Sequence, residues 1–296
     1  MNSEIDILNR QFGIASVLKF TEVNGLPIVE IATPAATARI AVQGGQVLEW
    51  QPAGQQPVIW VSRAAVYQAG KGVRGGVPVC WPWFGAGEPG KPAHGFVRTR
   101  MWQVRATGQD THGIFVRLGI KDDQDTHAIW DHAFELDLIV YVGPTLRMEL
   151  ITHNTGNETM RITEALHTYF RVGDIGQVEV LGLDQTHYHD KVSGQNRQLQ
   201  VGPVTFTGET DRIYLDTQAD CLIRDGRFGR SIRVAKQGSD TTVVWNPWTE
   251  KEKTFADMSV GEYRDMVCVE TCNAATAVIV LQPGEKHGLL AELSVD

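Results

Sequence analysis

Cysteine is scarce in this chain of 296 residues, and its four copies do not form a recognisable pattern. Cys80, Cys221, Cys268 and Cys272 are scattered along the chain, and none of them belongs to a CxxC pair. Small disulfide-stabilised domains have regularly spaced cysteines, and structural zinc sites use CxxC pairs. We therefore expect neither a disulfide framework nor a structural zinc site.

Long apolar runs are missing as well. A membrane-spanning helix needs about 20 consecutive apolar residues, whereas the longest aliphatic runs, such as AVIVL at 277–281, are far shorter. The chain starts with MNSEIDILNRQFG, where acidic residues stand in place of the apolar segment of a secretory signal. These absences predict a soluble, cytoplasmic protein with no membrane partner.

The chain also lacks an excess of positive charge. It has 27 basic and 35 acidic residues, which gives a formal net charge of −8. A protein of this charge has no overall basic field to attract nucleic acid. We therefore expect no nucleic-acid partner, and an anionic ligand would need a local cluster of cations.

Helix signals are few, and strand signals dominate. Helices are predicted only over residues 3–11, with Ser3 as the N-cap, and over 125–134. Short β-branched or aromatic segments recur between turn sequences; they include LPIVEIAT, QVLEWQ, PVIWVS, GFVRTRMWQVRA, FELDLIVYV, TLRMELITHN, MRITEALHTYF, TTVVWNP and DMVCVETC. No linker, fixed-period repeat or alternating βα pattern is visible. The sequence predicts an all-β protein, one large antiparallel β-sandwich over residues 1–296 with few short helices.

His167 lies in one of these strand segments, EALHTYFRVGDIG. Side chains alternate along a strand, so His167 is expected to share a face with Ala165 and Tyr169. A histidine among such core-type residues has either a structural role or a role in proton transfer. On this segment alone the structural role is the commoner one.

Glu270 is the one charged residue in the run VCVETCNA, which otherwise has the composition of a buried strand. Alternation places it on the same face as Cys268 and Cys272. A buried carboxylate without a partner is costly, so Glu270 is either paired with a cation or kept as a base. A third interpretation is that this face of the sheet is exposed.

Two arginines enclose the Gly- and Pro-rich segment RGGVPVCWPWFGAGEPGKPAHGFVR. Arg74 precedes two glycines, which allow the backbone to approach a ligand closely. Arg98 alternates with Phe96 and is expected on the face of His94. A planar guanidinium suits phosphate and carboxylate oxygens, although salt bridges to acidic residues would also explain both arginines. The aromatic residues Trp81, Trp83 and Phe84 either stack against a sugar or close one end of the sandwich.

Two weaker signals come from the second half of the chain. Asp211, in GETDRIY, is interpreted as a turn residue that caps the turn or accepts hydrogen bonds from sugar hydroxyls. His187 and His189, in HYHD, have the spacing of two metal ligands on one strand face. They lie in a polar, loop-like segment without an obvious third ligand, so a solvated surface is the simpler interpretation.

Taken in the order in which they occur along the chain, the motifs resemble those of the glucose-6-phosphate 1-epimerases. These form the hexose-6-phosphate mutarotase branch of the aldose 1-epimerase superfamily. The resemblance covers roughly residues 20–290 and is carried by RGGVPVCWPWFG, HGFVR, EALHTYFRVGDI, GETDRIY, VVWNPW and VCVETCNA. It implies a large β-supersandwich. It also implies that the chain interconverts the α and β anomers of a hexose 6-phosphate without a metal or an organic cofactor.

The resemblance also implies roles for particular residues. His167 corresponds to the family's acid and Glu270 to its base. Arg74 and Arg98 correspond to the arginines that bind the phosphate, and Asp211 to the aspartate that binds sugar hydroxyls. A carboxylate beside an imidazolium raises the pKa of the histidine, so we expect His167 to be protonated and to form an ion pair with Glu270.

Three residues of the first loop complete the expected site. His94, from the HGF motif, is expected beside the sugar ring, and Trp81 is expected to shape the pocket. Many relatives have glutamine before this histidine, whereas this chain has Ala93. The corresponding contact is either missing or supplied by Lys91 or by the tryptophan-rich loop.

Three alternative functions remain open from the sequence. A non-catalytic carbohydrate-binding sandwich would explain the aromatic loop and Asp211, but it does not need both His167 and Glu270. A cupin-like metal enzyme would use some of the nine histidines. An aldose 1-epimerase for unphosphorylated sugars would not need two arginines. The sequence leaves the oligomeric state open, and a monomer is plausible.

Overall fold

The computed structural model describes residues 3–296. These residues contain three α-helices, and all three are short. They are α1 (Glu4–Phe12), α2 (Gln124–Ile129) and α3 (Trp248–Glu252). The Ser3 hydroxyl accepts a hydrogen bond from the Asp6 backbone, which confirms the predicted N-cap of α1. The second predicted helix is confirmed but ends at Ile129, because the backbone of Trp130 is extended. The sequence did not indicate α3.

Strands make up most of the rest of the chain. In chain order they are β1 (Leu18–Val23), β2 (Leu26–Ala32), β3 (Ala36–Ala41), β4 (Gln46–Pro52), β5 (Val79–Cys80), β6 (Gln103–Asp110), β7 (Gly113–Lys121), β8 (Phe134–Val142), β9 (Leu146–Asn154), β10 (Met160–Ile162), β11 (Glu164–Leu166), β12 (Tyr169–Arg171), β13 (Val178–Leu181), β14 (His187–Asp190), β15 (Gln195–Leu199), β16 (Thr210–Tyr214), β17 (Cys221–Asp225), β18 (Arg230–Gln237), β19 (Thr241–Asn246), β20 (Met266–Asn273), β21 (Ile279–Leu281) and β22 (Lys286–Val295).

Two large antiparallel sheets organise residues 3–296. The first, here called the site sheet, has the order β15-β14-β16-β19-β20-β11-β5, and β12 also pairs with β20. The second sheet has the order β13-β17-β18-β22-β9-β8-β7-β6. A four-stranded sheet, β1 to β4, and the small pair β10-β21 complete the fold. The prediction of an antiparallel all-β sandwich is confirmed; its extension over the whole chain as a single domain stays a prediction.

The two large sheets differ in how their strands are buried. β9 alternates strictly between buried and partly exposed residues, as expected for a strand with one face on the core. In β20, all eight residues are buried. The side of β20 that faces away from the main core is therefore covered too, and polar groups on that side are removed from bulk water.

Two sequence-based strand predictions are wrong in detail. PVIWVS forms isolated bridges at Ile59 and Val61 rather than a strand. GFVRTRMWQVRA is not one strand, because β6 begins at Gln103 and a 3-10 helix spans Val97–Thr99. The change of direction occurs at His94 and Gly95, whose φ angles are 62° and 71°. Arg98 consequently lies on a helical turn, and its expected alternation with Phe96 along a strand does not occur.

Candidate active site

A break in one strand brings His167 to Glu270. The predicted strand MRITEALHTYF is divided into three short strands, of which β11 and β12 both pair with β20. Leu166 is opposite Thr271 and Tyr169 is opposite Cys268, so the unpaired residues between them face the middle of β20. The backbone N–H of His167 turns away to donate to the Pro78 carbonyl. This local irregularity directs the imidazole toward the centre of the sheet.

The two side chains meet in a nearly closed environment. His167 Nε2 lies 3.4 Å from Glu270 Oε1, and the two side chains are 13% and 1% exposed. The alternative in which Glu270 lies on an exposed sheet face is therefore excluded. His167 Nδ1 and Glu270 Oε2 are buried and have no hydrogen-bond partner within residues 3–296. Buried polar atoms are almost always paired, so this unsatisfied pair indicates a site where a ligand supplies the missing partners.

Burial and nearby charge determine the protonation of the pair. Burial lowers the pKa of His167 well below its ordinary value, and the neighbouring His94, Arg98 and Arg74 act in the same direction. Burial raises the pKa of Glu270 well above its ordinary value, and Asp211 adds to that effect. The expected ion pair is therefore disfavoured in the unliganded protein: burial opposes both charges, Arg74 and Arg98 oppose the imidazolium, and Asp211 opposes the carboxylate.

Glu270 and His167 open into a cleft of about 380 Å³. Six of the seven residues singled out from the sequence line it together: Arg74, His94, Arg98, His167, Asp211 and Glu270. A larger groove of about 560 Å³ exists elsewhere, but its charged residues pair with each other, as Lys19 does with Glu30 and Arg39 with Glu49. The cleft differs in containing a buried acid–base pair, His167 and Glu270, with unsatisfied atoms on both side chains and pKa values far from the ordinary ones.

Arg74 is held in place from three sides. Its Nε donates to Asp257 Oδ1 at 3.0 Å, its Nη1 donates to the Tyr169 hydroxyl at 3.3 Å, and its guanidinium lies 4.4 Å from the centre of the Phe255 ring. These contacts fix the orientation of a planar cation at the edge of the cleft. The salt-bridge interpretation is thus partly correct for Arg74.

Arg98 differs from Arg74 in having no carboxylate partner among the described ion pairs of residues 3–296. Its Nη2 donates to the Ala93 carbonyl at 3.0 Å. Arg98 is carried by the 3-10 turn Val97–Thr99 and lines the same cleft as Arg74. A guanidinium that has only a neutral acceptor keeps its charge available for an anion.

His94 lies between the aromatic side of the cleft and His167. Its ring centre is 4.9 Å from that of Phe84 and 5.7 Å from that of His167. Burial, together with the cations Arg98, Lys191 and Arg74, lowers the pKa of His94 to about 4. The imidazole is therefore neutral, and its Nδ1 accepts the N–H of Gly85. The proton is on Nε2, which makes His94 a donor to a ligand oxygen.

Asp211 is the second residue of β16 and not a turn residue, because β16 begins at Thr210 and pairs on both sides. Burial raises its pKa, whereas the charge of Lys191 opposes that effect. Lys191 and Lys251 also line the cleft. The sequence did not single out these two lysines, since each stands in a polar segment with no motif around it.

Trp81 does not line the cleft, and its expected contact with a ligand is wrong. Its side chain is 0% exposed, its Nε1 donates to Thr152 Oγ1 at 3.0 Å, and its ring packs in the core against Phe134. The aromatic residues that line the cleft are Phe84, Tyr169, Trp245 and Phe255. An aromatic loop can fill the core or a pocket, and the composition of the loop does not distinguish the two.

Lys91 does not supply the side-chain contact that Ala93 lacks. Lys91 forms an ion pair with Glu88 at 2.8 Å and lies over the ring of Trp83. Trp83 in turn donates to the Pro92 carbonyl. The loop uses these residues for its own structure, while the backbone carbonyl of Ala93 orients Arg98.

The paired histidines of the HYHD segment lie on a strand and not in a loop. β14 pairs with β15 on one side and with β16 on the other. His187 is exposed, and His189 Nδ1 accepts the backbone N–H of Arg197. In the part of the chain that the structure describes, the residues close enough to share a metal ion are instead His167, Cys268 and Glu270.

No helix in residues 3–296 combines the length and the apolar character that crossing a membrane requires. The longest of the three helices, α1, has 9 residues.

Comparison with known proteins places this geometry in a family context. The family model described as "Aldose 1-epimerase" matches residues 27–294. A protein of Escherichia coli (strain K12), named "Putative glucose-6-phosphate 1-epimerase", is 36% identical over 276 residues, which cover 93% of this chain and 92% of that protein. A protein of Salmonella typhimurium with the same name is 36% identical over 263 residues, which cover 88% of each chain.

Solved structures show the same similarity. The crystal structure of a "putative mutarotase" from Salmonella typhimurium superposes with a TM-score of 0.90 at 34% identity, covering 96% of this chain and 95% of that one. A galactose mutarotase-like protein from Lactobacillus casei superposes with a TM-score of 0.72 at 13% identity, covering 91% of this chain and 100% of that one. The second match shows the fold alone.

Proposed function

The chain belongs to the aldose 1-epimerase family, and on that premise we propose that it interconverts the α and β anomers of D-glucose 6-phosphate. One observation carries this proposal. The unsatisfied pair His167–Glu270 and the two arginines Arg74 and Arg98 line the same cleft. An acid–base pair and an anion-binding pair in one cleft fit a sugar whose C1 and 6-phosphate are at opposite ends.

Anomer exchange needs one base and one acid. Glu270, as the carboxylate, removes the proton from the C1 hydroxyl, while His167, as the imidazolium, protonates the ring oxygen. The C1–O5 bond breaks, and the C1 oxygen becomes the aldehyde oxygen. Rotation about C1–C2 presents the other face of the aldehyde, and the reverse proton transfers close the ring. Each proton-transfer group of this kind typically accelerates a reaction about 10²–10⁴-fold.

The substrate's phosphate prepares the pair for this chemistry. In the unliganded cleft, Arg74 and Arg98 contribute to the lowered pKa of His167. A bound phosphate dianion neutralises these cations and therefore raises the pKa of His167 again. The proton that burial keeps on Glu270 then transfers over the 3.4 Å contact to His167. Phosphate binding and the protonation of the acid are coupled in this way.

The two arginines contribute to phosphate binding in different ways. Arg74, oriented by Asp257 and Tyr169, offers a fixed guanidinium. Arg98 donates to the Ala93 carbonyl and has no carboxylate partner among the described ion pairs of residues 3–296, so its charge remains available. Binding energy from this unreactive end of the sugar fixes the ring against Glu270 and His167. It also favours the phosphorylated sugar over the free sugar.

The remaining polar residues of the cleft fit the hydroxyl groups of a hexose. Neutral His94 donates a hydrogen bond through Nε2 to a sugar oxygen, and Asp211, which lines the same cleft, accepts from sugar hydroxyls. The substrate partner in this proposal is thus a small hexose phosphate. A cytoplasmic location is part of the proposal, because all four cysteines are free thiols, as is usual in a reducing compartment.

Anomeric equilibration of fresh α-glucose 6-phosphate tests the proposal. A β-specific dehydrogenase in excess reports the β anomer, with α-glucose run in parallel and a protein-free reaction as the reference. Acceleration of the phosphate ester far above that of glucose is the expected result. Equal acceleration of both sugars would instead indicate an epimerase for unphosphorylated sugars, and binding without acceleration would indicate a carbohydrate-binding protein.

A further inference from the structure

Cys268 is a buried thiol that lies close to both the proposed acid and the proposed base. It precedes Glu270 by two residues on β20, so the two side chains are on the same face of the strand. Potential ligand atoms of His167, Cys268 and Glu270 all lie within 4.8 Å of one another. Neither the proton transfers nor the recognition of the phosphate uses this sulfur.

We propose that His167, Cys268 and Glu270 form an inhibitory binding site for thiophilic divalent cations such as Zn²⁺. The donor set is one nitrogen, one sulfur and one oxygen, which are the three ligand types that zinc binds in proteins. Three protein ligands leave a fourth position for water. On coordination Cys268 and Glu270 each release a proton to solvent, since the ligands are a thiolate and a carboxylate.

The unsatisfied atoms of the pair support a cation at this position. Glu270 Oε2 and His167 Nδ1 are buried and have no hydrogen-bond partner within residues 3–296. Zinc bonds of about 2.0–2.3 Å place tetrahedral ligands about 3.3–3.8 Å apart. The three side chains therefore need to approach one another by only about 1 Å, which small rotations of the side chains provide.

Access to the site runs through the substrate cleft. The His167 side chain is 13% exposed there, whereas Cys268 is fully buried and Glu270 is 1% exposed. An entering cation meets His167 first and then the two ligands behind it. A bound sugar phosphate covers this route, so it protects the protein from the metal. Because the metal occupies both the acid and the base, its binding stops anomer exchange, and this consequence rests on the proposed function.

Cys272 provides a matched control for Cys268. It is on the same strand and on the same face, and it is also fully buried. Its sulfur lies 3.3 Å from Thr241 Oγ1 and is not part of the three-residue group. The variants Cys268→Ala and Cys272→Ala therefore remove the same atoms from similar surroundings, and only one of them removes a proposed ligand.

Cobalt and zinc together test the proposal. Co²⁺ is titrated into wild type, Cys268→Ala and Cys272→Ala, and the thiolate-to-cobalt absorption band is recorded. Zn²⁺ inhibition is then measured for each protein relative to its own metal-free rate. We expect the band in wild type and Cys272→Ala only, and we expect Cys268→Ala to need at least about 10-fold more Zn²⁺ for half-inhibition. Cys268→Ser replaces Cys268→Ala if circular dichroism shows that the latter is unfolded.

The outcomes separate the two proposals. Absence of the cobalt band in wild type, or unchanged zinc inhibition in a folded Cys268 variant, would overturn the metal site whatever the activity. A cobalt band that depends on Cys268, in a protein that does not accelerate anomer exchange, would support the metal site and contradict the proposed function.

Discussion

Two buried glutamate–histidine pairs in this protein have similar geometry and opposite electrostatics. Glu270 and His167 meet at 3.4 Å in the cleft, whereas Glu164 and His287 meet at 3.0 Å between the two large sheets. The carboxylates are 1% and 0% exposed, and both have an oxygen without a hydrogen-bond partner in the described chain. The geometry of the pairs alone does not show which one takes part in a reaction.

The surroundings distinguish the two pairs. Burial opposes the charge of His287, but the hydrogen bond and charge of Glu164 outweigh it and raise the pKa of His287. Asn273 also donates to Glu164 at 3.2 Å. His167 has a carboxylate of raised pKa beside it and faces His94, Arg98 and Arg74, so its own pKa is lowered. Glu164 and His287 therefore form an internal salt bridge, whereas burial and the nearby cations oppose a charge on His167 in the unliganded cleft.

The largest effect is expected from removing the acid or the base. His167→Ala and Glu270→Gln should each lower kcat about 10²–10⁴-fold, because each removes one proton-transfer group. The matched variant Glu164→Gln should stay close to the wild-type kcat. Progress curves of α-glucose 6-phosphate equilibration measure all three. A normal rate in either cleft variant would remove that residue from the mechanism.

The Glu164–His287 pair should affect the stability of the fold and not the reaction rate. His287→Ala leaves Glu164 buried without its cation, which typically costs about 3–5 kcal/mol. Denaturant unfolding measures the loss, and kcat at a temperature where the variant is folded should change little. If the variant had the same free energy of unfolding as wild type, the salt bridge between the sheets would not contribute to stability.

Removing a positive charge from the proposed phosphate-binding end of the cleft should affect KM more than kcat. Arg98→Ala removes hydrogen bonds to a charged group, worth about 1.5–3 kcal/mol, and should raise KM for glucose 6-phosphate by about 10–100-fold. The slow reaction with unphosphorylated glucose should change much less. Lys91→Ala, at the outer part of the same loop, is the control. Equal losses on both sugars would contradict the phosphate role of Arg98.

A smaller effect is expected in the pH dependence of stability. His287 has a raised pKa in the folded state, so its contribution is fully present below the ordinary histidine pKa and is lost as the pH rises through the folded value. The difference in unfolding temperature between wild type and His287→Ala should therefore be larger near pH ~6 than near pH ~9. A constant difference would show that His287 is not charged in the folded protein.

The contribution of His94 to the pH dependence of stability should have the opposite sign. Its folded pKa of about 4 lies below the ordinary value, so the unfolded chain binds this proton more readily. Stability is therefore lost as the pH falls below the ordinary histidine pKa toward about 4. His94→Gln should lose less stability on acidification than wild type does, as thermal unfolding at several pH values would measure.

Local patterns were sufficient to predict most of the strands and the N-cap of α1, and to single out His167 and Glu270 as candidate site residues. Alternation is a local property, and a lone charge in the apolar run of β20 stands out without a structure. The break between β11 and β12 was not predictable, because it depends on pairing with β20 and on the Pro78 carbonyl. That break is what brings His167 to Glu270.

Contacts between distant segments account for what the sequence did not indicate. Asp257, which orients Arg74, is 183 residues away in the chain. Trp81 was assigned to the pocket because aromatic composition does not reveal which side of a loop faces the core. The expected charge on His167 is opposed for a similar reason: burial and the neighbouring His94, Arg98 and Arg74, which come from distant segments, lower its pKa.

The coupling between phosphate binding and the protonation of His167 can be measured directly. NMR would follow the histidine titrations in the free protein and with 1,5-anhydroglucitol 6-phosphate, which has the phosphate but no anomeric hydroxyl. His167→Gln assigns the signal, and unphosphorylated 1,5-anhydroglucitol is the control. We predict that the phosphate ester raises the pKa of His167 and that the control does not. An unchanged pKa in the saturated complex would contradict the coupling.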